Sequence, residues 1–292
     1  MPVFPAPAKI NLRLRVLARE ITGWHQIESL FCRLDLADEI EIETTSHGLT
    51  LEVDGPDAGP ITDNLVWRAA SAFFAAIRST PAARIRLAKR IPAGAGLGGG
   101  SSDAATTLSA LNHLLGRPLE SDQVRRIGAT LGSDVPFFLS GADLALVWGR
   151  GERVLPLPAP PAAPVLVVVP RERIVTADAY AHLAAAREHD APLPEAVLLE
   201  GLARPSWDAI LSAAGNDFEA VADAMIATLP AIRSALRENG ARLAQLTGSG
   251  SAVFAIFADA ARARGAARVL AATVPDAALV QTMTARRAAA AG

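Results

Sequence analysis

"IPAGAGLGGGSSDAA", residues 91–105, decides the fold. Five glycines stand within residues 94–100, two serines follow, and an apolar-striped segment begins at once. Glycine loses more conformational freedom on folding than any other residue, so so dense a cluster marks a place where bare backbone is needed. Glycines ahead of a helix let backbone N–H groups converge, and the unpaired N–H groups at the helix start complete an anion cradle. Ser101 and Ser102 add hydroxyls. The stretch reads as a phosphate-binding loop.

Two familiar phosphate loops do not fit. A Walker A loop ends in Gly-Lys-Ser/Thr, whereas Gly100 is followed by Ser101. A dinucleotide fingerprint is met literally by Gly94, Gly96 and Gly99, with Glu120 about 20 residues on. Its context is missing. "ARIRLAKRI" (83–91) alternates like a strand with one solvated face, and two helices and a hairpin follow instead of a βαβ unit. A flexible linker does not feed straight into a striped helix.

Working outward, "KINLRLRVL" (9–17) alternates, which predicts Ile10, Leu12, Leu14 and Val16 on one strand face and Lys9, Asn11, Arg13 and Arg15 on the other. "IESLFCRL" (27–34), "DEIEIETT" (38–45) and "LTLEV" (49–53) read as separate strands joined by turns. Residues 63–77 read as a helix with Asp63 as N-cap. The helix after the glycines carries Ala104, Leu108, Leu111 and Leu115 on one stripe and Gly116 at C′. A helix over 120–131, "GSDVPFFLSG", and a hairpin turning at Gly149–Gly151 come next. The proline-dense "PLPAPPAAP" (156–164) reads as a linker. Beyond it the pattern predicts a buried strand at 165–169, helices near 176–189, 196–213 and 217–239, two strands around "TGSGS", a helix over 258–273, a strand over 277–284 and a frayed tail. Mixed strands and helices in both halves predict two α+β domains.

Composition bounds the function. The 292 residues are 51% apolar with net charge −2, which predicts no extended nucleic-acid surface. Cys32 is the single cysteine, so no internal disulfide forms. The first residues lack an apolar signal core, and "VLVVV" (165–169) is too short to span a bilayer. The expectation is a cytoplasmic protein without membrane contact. The five histidines show no zinc spacing, and no G-x-S-x-G elbow is present.

A few polar residues carry two readings each. Lys9 and Asn11 are either a solvated strand face or the lining of a cleft. Asp134, before "VPFF", is either a turn residue or N-cap, or a carboxylate free for chemistry. Gly248, Ser249 and Gly250 form either a hairpin turn or a second phosphate nest. Trp24–His25 is either loop decoration or a stacking platform with a hydrogen-bonding partner.

Taken in order, "PAKINLRLRV", "GWHQIESLF", "DNLVWRAA", "KRIPAGAGLGGGSSDAAT", "LGSDVPFFLSG" and "TGSGSAVFAIF" resemble the GHMP small-molecule kinases over positions 7–257. The resemblance implies a ribosomal-S5-domain-2-like N-terminal domain (1–157) and a ferredoxin-like C-terminal domain (163–292), with the active site in the cleft between them. It implies ATP as donor, Mg2+ as helper, and Lys9 and Asp134 as the catalytic pair. Asn11, Trp24, His25 and Thr176 fall on substrate positions. Asn64 and Lys89 fall near adenine. Pro92, Gly94, Gly96, Gly98, Gly99, Gly100, Ser101 and Ser102 fall on the phosphate loop. The matching branch acts on a substrate carrying a cytidine diphosphate group, in isoprenoid biosynthesis, as a monomer or weak homodimer. Sibling kinases of homoserine or mevalonate, a non-catalytic ATP and metabolite sensor, and a nicotinamide enzyme are the rivals. Trp24 stands where the family usually has tyrosine. No side chain is clearly placed for the metal, and Asp103 is expected to point away from the phosphates or to sit near the ion.

Overall fold

The computed structural model describes residues 1–20, 23–55, 59–187 and 205–285. The expected helix start over 196–204 and the tail beyond 285 lie outside them.

The N-terminal half runs β1 (Val3–Arg19), β2 (His25–Thr44), β3 (Gly48–Asp54), α1 (Leu65–Ala76), β4 (Ala82–Ala88), α2 (Gly99–Leu114), α3 (Ser121–Leu131), α4 (Val135–Ser140) and the hairpin β5 (Leu144–Gly149) and β6 (Arg153–Leu157). The C-terminal half runs β7 (Pro164–Val169), α5 (Thr176–Ala186), α6 (Trp207–Ala213), β8 (Gly215–Asn216), α7 (Glu219–Met225), α8 (Leu229–Glu238), β9 (Leu243–Leu246), β10 (Val253–Ile256), α9 (Ala260–Thr273) and β11 (Ala278–Met283). One sheet has the order β3-β4-β2-β1-β8, with β5 beside β2 and β6 beside β5. The other has the order β11-β7-β10-β9 and is antiparallel throughout.

The two strands expected at 27–34 and 38–45 are one. β2 is 20 residues long. Its first half pairs with β5 and its second with β4, while β1 lies along both. A turn near residue 36 would cost that shared ladder, so the irregularity is absorbed as a register shift between Pro7 and Lys9. A second shift, between Asn11 and Arg13, corrects the predicted faces of β1. Ala8, Ile10 and Leu12 enter the core between the two sheets, where they meet Val165, Val167 and Phe254. Leu14 and Val16, past the bulge, join the core of the C-terminal half instead. An extra residue in a period-2 strand reverses every later side chain.

Asp63 is not the cap of α1. A 3-10 turn takes up Ile61–Asp63, and Asn64 caps the helix by accepting from Val66 N at 2.9 Å. Gly116 does follow the end of α2 with φ +78°. The connector at 158–163 is tied down rather than loose: Ala163 is buried and its N–H donates to Thr284 Oγ1 at 2.9 Å. The expected division there falls between β6 and β7, yet β8 of the C-terminal half pairs with β1.

Candidate active site

The glycine loop is fixed on two sides. The Lys9 N–H donates to the Leu97 carbonyl at 2.9 Å, tying the loop to β1. Gly96 (φ +79°) lies so close to the segment after β9 that a Cβ would stand 2.3 Å from the Thr247 carbonyl oxygen. Gly98 is the left-handed N-cap of α2, and the Ser102 N–H closes the first turn on its carbonyl at 2.9 Å. The open N-terminus of a 16-residue helix therefore faces the loop.

The loop divides two cavities that share Gly96 and Gly98. The smaller, about 400 Å3, is lined by Asn64, Leu65, Lys89, Pro92, Gly94, Gly99, Gly100 and Ser101. The larger, about 670 Å3, is lined by Lys9, Asn11, Trp24, His25, Asp134, Thr176, Gly248 and Ser249. Of the residues expected in the site, Ser102 and Gly250 line neither. Ser102 is fully buried in α2, and its Oγ has no partner. A Cβ on Gly250 would meet Ile174 and Leu246.

In the larger cavity Lys9 and Asp134 come together. Lys9 Nζ lies 3.5 Å from Asp134 Oδ2, 2.8 Å from Asn11 Oδ1 and 4.7 Å from the centre of the Phe31 ring. Lys9 is nearly buried, while the Asp134 side chain keeps 25% exposure, so the carboxylate is the member that meets solvent or a ligand. Asp134 precedes α4 but makes no capping bond, which leaves its oxygens for other work. Bulges either side of Lys9–Asn11 aim both side chains at this point.

Asn11 is a junction. Its Oδ1 accepts from Lys9 Nζ, from Gly248 N at 2.8 Å and from Thr247 Oγ1 at 3.1 Å, and its Nδ2 donates to Ser29 Oγ at 2.9 Å. Gln245 Nε2 adds bonds to the carbonyls of Asn11 and Leu12 at 2.8 and 3.1 Å. The second glycine segment is therefore held against the first strand. Thr176 Oγ1 lies 3.0 Å from Ser249 Oγ, so it reaches the same segment from α5.

Lys89 lines the smaller cavity, partly buried between two carboxylates. It pairs with Asp38 and, at 2.8 Å, with Asp103. Burial works against the charge on Lys89, but Asp103 and Asp38 together raise its pKa. Burial pushes the Asp103 carboxyl up to about 7, against the pull of Lys89. Asp103 Oδ1 is buried without a partner. Asp38 also accepts from the backbone N–H groups of Arg90 and Ile91, at 2.7 Å for Ile91, so the cluster sets the path of the chain into the loop.

Sequence reasoning missed four residues here. Tyr180 stacks on His25 with ring centres 4.7 Å apart and 23° between planes, and meets Phe218 edge-on at 4.9 Å. Burial, then the charge of Asp134, pushes its hydroxyl up to about 12. Tyr180 is the chain's one tyrosine and stands four residues after Thr176 on α5, so helical spacing alone could have found it. Phe31 under Lys9, Thr247 beside Asn11, and Arg150 at the hairpin turn carried no local signal, because long-range folding brings them in.

A phosphate group fits the loop, because the start of α2 carries no side-chain cap and the loop's Gly96 and Gly98 border both cavities. Among the described residues, no group of three or more His, Cys, Asp or Glu is placed to hold a metal ion, and no helix is long and apolar enough to cross a membrane.

Comparison with known proteins bears on the whole chain. Residues 64–142 match the GHMP kinases N terminal domain, and residues 198–276 match the GHMP kinases C terminal domain. A 4-diphosphocytidyl-2-C-methyl-D-erythritol kinase of Solibacter usitatus (strain Ellin6076) is 43% identical over 259 residues, 87% of this chain and 80% of that protein. The crystal structure of a 4-(cytidine 5'-diphospho)-2C-methyl-D-erythritol kinase superposes with TM-score 0.78 at 37% identity, covering 98% of this chain and 100% of that one. A homoserine kinase of Cytophaga hutchinsonii shares the fold, with TM-score 0.70 at 18% identity over 97% of this chain and 93% of its own.

Proposed function

The chain belongs to the 4-diphosphocytidyl-2-C-methyl-D-erythritol kinases of the GHMP family, and from that premise we propose how its residues work. It is an ATP-dependent small-molecule kinase of the non-mevalonate isoprenoid route, acting on 4-diphosphocytidyl-2-C-methyl-D-erythritol. The observation that carries the mechanism is the wall shared by the two cavities: Gly96 and Gly98 border both, and Lys9 and Asp134 stand on the acceptor side.

ATP occupies the smaller cavity, with adenine toward Asn64 and Lys89 and its β- and γ-phosphates on the glycine loop and the start of α2. The acceptor occupies the larger cavity, with its cytosine between Trp24 and the His25–Tyr180 stack. Its 2-hydroxyl oxygen bonds to the γ-phosphorus, the bond to the β–γ bridging oxygen breaks, and ADP leaves. Asp134 takes the hydroxyl proton. Lys9 offsets the negative charge on the transferred group. Such transfers rest on positioning and charge neutralisation, which the Asn11 junction serves by holding Lys9. Magnesium, when bound, would neutralise phosphate charge; Ser101, the loop serine that lines the ATP cavity, would be the side chain to hold it, with the phosphates supplying the rest, while Ser102 lies buried in α2. The enzyme works in the cytoplasm on this reading.

ADP release with Mg-ATP and 4-diphosphocytidyl-2-C-methylerythritol, beside homoserine and mevalonate, tests the proposal. Turnover with the cytidyl substrate alone is expected. Turnover only with a small aliphatic alcohol would overturn the cytosine assignment, and ATP binding without any turnover would favour a sensor.

A further inference from the structure

The turn of the β5–β6 hairpin reaches to the mouth of the larger cavity, with Arg150 at its tip. Gly151 (φ +114°) packs against the chain just before Asp134 so closely that a Cβ would lie 2.5 Å from the Ser133 carbonyl oxygen. The Arg150 N–H donates to Glu152 Oε2 at 2.7 Å, which stiffens the turn. The guanidinium points the other way. Its Nε donates to both carboxylate oxygens of Glu20 at 3.2 and 3.1 Å, Nη2 joins the same carboxylate, and Cζ stands 5.6 Å from the centre of the Trp24 ring. Glu20 also donates its N–H to the Trp24 carbonyl at 2.7 Å. One residue thus holds both the backbone of Trp24 and the cation placed over its ring.

We propose that Arg150 is a positioning residue for the acceptor: it braces the Trp24 indole as a wall of the cytidyl pocket, and the hairpin ties that wall to the segment carrying Asp134. The inference rests on the cytidyl-substrate reading above. Trp24 is 56% exposed, so packing alone does not fix its ring. A planar guanidinium lies against an aromatic face and forks onto a carboxylate at the same time, which an ammonium does not. Glu20 neutralises the arginine, so its contribution is geometric rather than a net charge offered to the substrate's diphosphate.

Arg150→Ala, Arg150→Lys and Glu20→Gln in the full chain test this. KM for the cytidyl substrate is expected to rise about three- to tenfold in Arg150→Ala, on the scale of one cation–π contact, with kcat and KM for ATP changing far less. Arg150→Lys should fall near Arg150→Ala, and Glu20→Gln between them and the parent. A lysine variant equal to the parent would overturn the proposal in favour of a simple charge effect. So would an unchanged KM, or a fall in kcat parallel to the rise in KM. The brace is also read without substrate, from the Trp24 emission obtained by difference against Trp24→Phe. Its anisotropy should fall in Arg150→Ala; an unchanged value would overturn the brace. Failure of the parent enzyme to use the cytidyl substrate would refute the function reading but leave this fluorescence test standing.

Discussion

Lys9 Nζ stands 3.5 Å from Asp134 Oδ2, close enough to attract but longer than a direct hydrogen bond, and its short bond goes to Asn11 Oδ1 at 2.8 Å. Asn11 thus holds the ammonium beside the carboxylate without tying up its oxygens. Asp134→Ala should lower kcat by about two orders of magnitude or more, the scale of a lost proton acceptor, while ATP affinity stays within a few-fold. Near-normal turnover in a rapid-mix ADP assay would remove Asp134 from the chemistry.

Asn11→Ala should lower kcat by about tenfold or more, because Lys9, Gly248 and Thr247 all lose one acceptor. Steady-state kinetics against Asn11→Asp, which keeps acceptor oxygens, separates this from a general packing effect. The aspartate variant should retain more activity than the alanine variant.

Gly96→Ala tests the contact between the two glycine segments. The substitution meets both a left-handed φ of +79° and the Thr247 carbonyl oxygen. It should destabilise the fold by about 1–3 kcal/mol and lower kcat/KM at least tenfold. Urea unfolding and kinetics on the same preparation measure both.

Tyr180→Ala should raise KM for the cytidyl substrate about tenfold, the scale of one base-stacking contact, and Trp24→Ala should act in the same direction. Both should leave kcat less affected, because stacking acts in the ground and transition states alike. An unchanged KM in either variant would take that ring out of the pocket.

Asp103 gives a pH prediction. Its folded pKa, about 7, lies above the unfolded value of 3.8. Between those values the folded state holds the proton more tightly than the unfolded chain, so this group's contribution to stability declines as pH rises from about 4 to 7 and is level above that. Asp103→Asn cannot titrate and should show a flatter profile over the window. Urea midpoints at pH 5 and 8 check the slope; an identical slope in both proteins would count against the buried acid.

Local chemistry explains what could be read in advance. The glycine loop, the α2 stripe from Ala104 to Leu111 and the β5–β6 turn are short-range patterns that fold where their residues predicted, whereas Leu115, expected on the same stripe, is the exposed C-cap of α2. The β1 faces were misread because a bulge has no mark in an alternating sequence. The cap moved from Asp63 to Asn64 because both are good cap residues, and Asp63 is taken up in the 3-10 turn that precedes the helix. Within the site, Lys9 and Asn11 share a strand face and were legible as a pair, but their tie to Gly248, 237 residues away, was not. Lys89 read as a nucleotide contact, yet its ammonium lies between Asp38 and Asp103, a pairing set only by the folded chain.

The Asn11 junction also limits how this enzyme can be recombined. Strand β1 carries Lys9, pairs with β8, and receives Gln245 and Gly248 from the far half of the chain. A crossover placed in the proline-rich connector would look harmless in an alignment. It would bring together a first strand and a second glycine segment that had never been selected as partners. Chimeras cut there should express only when both parents carry matching residues at 11, 245, 247 and 248, so the inheritable module is the two halves together.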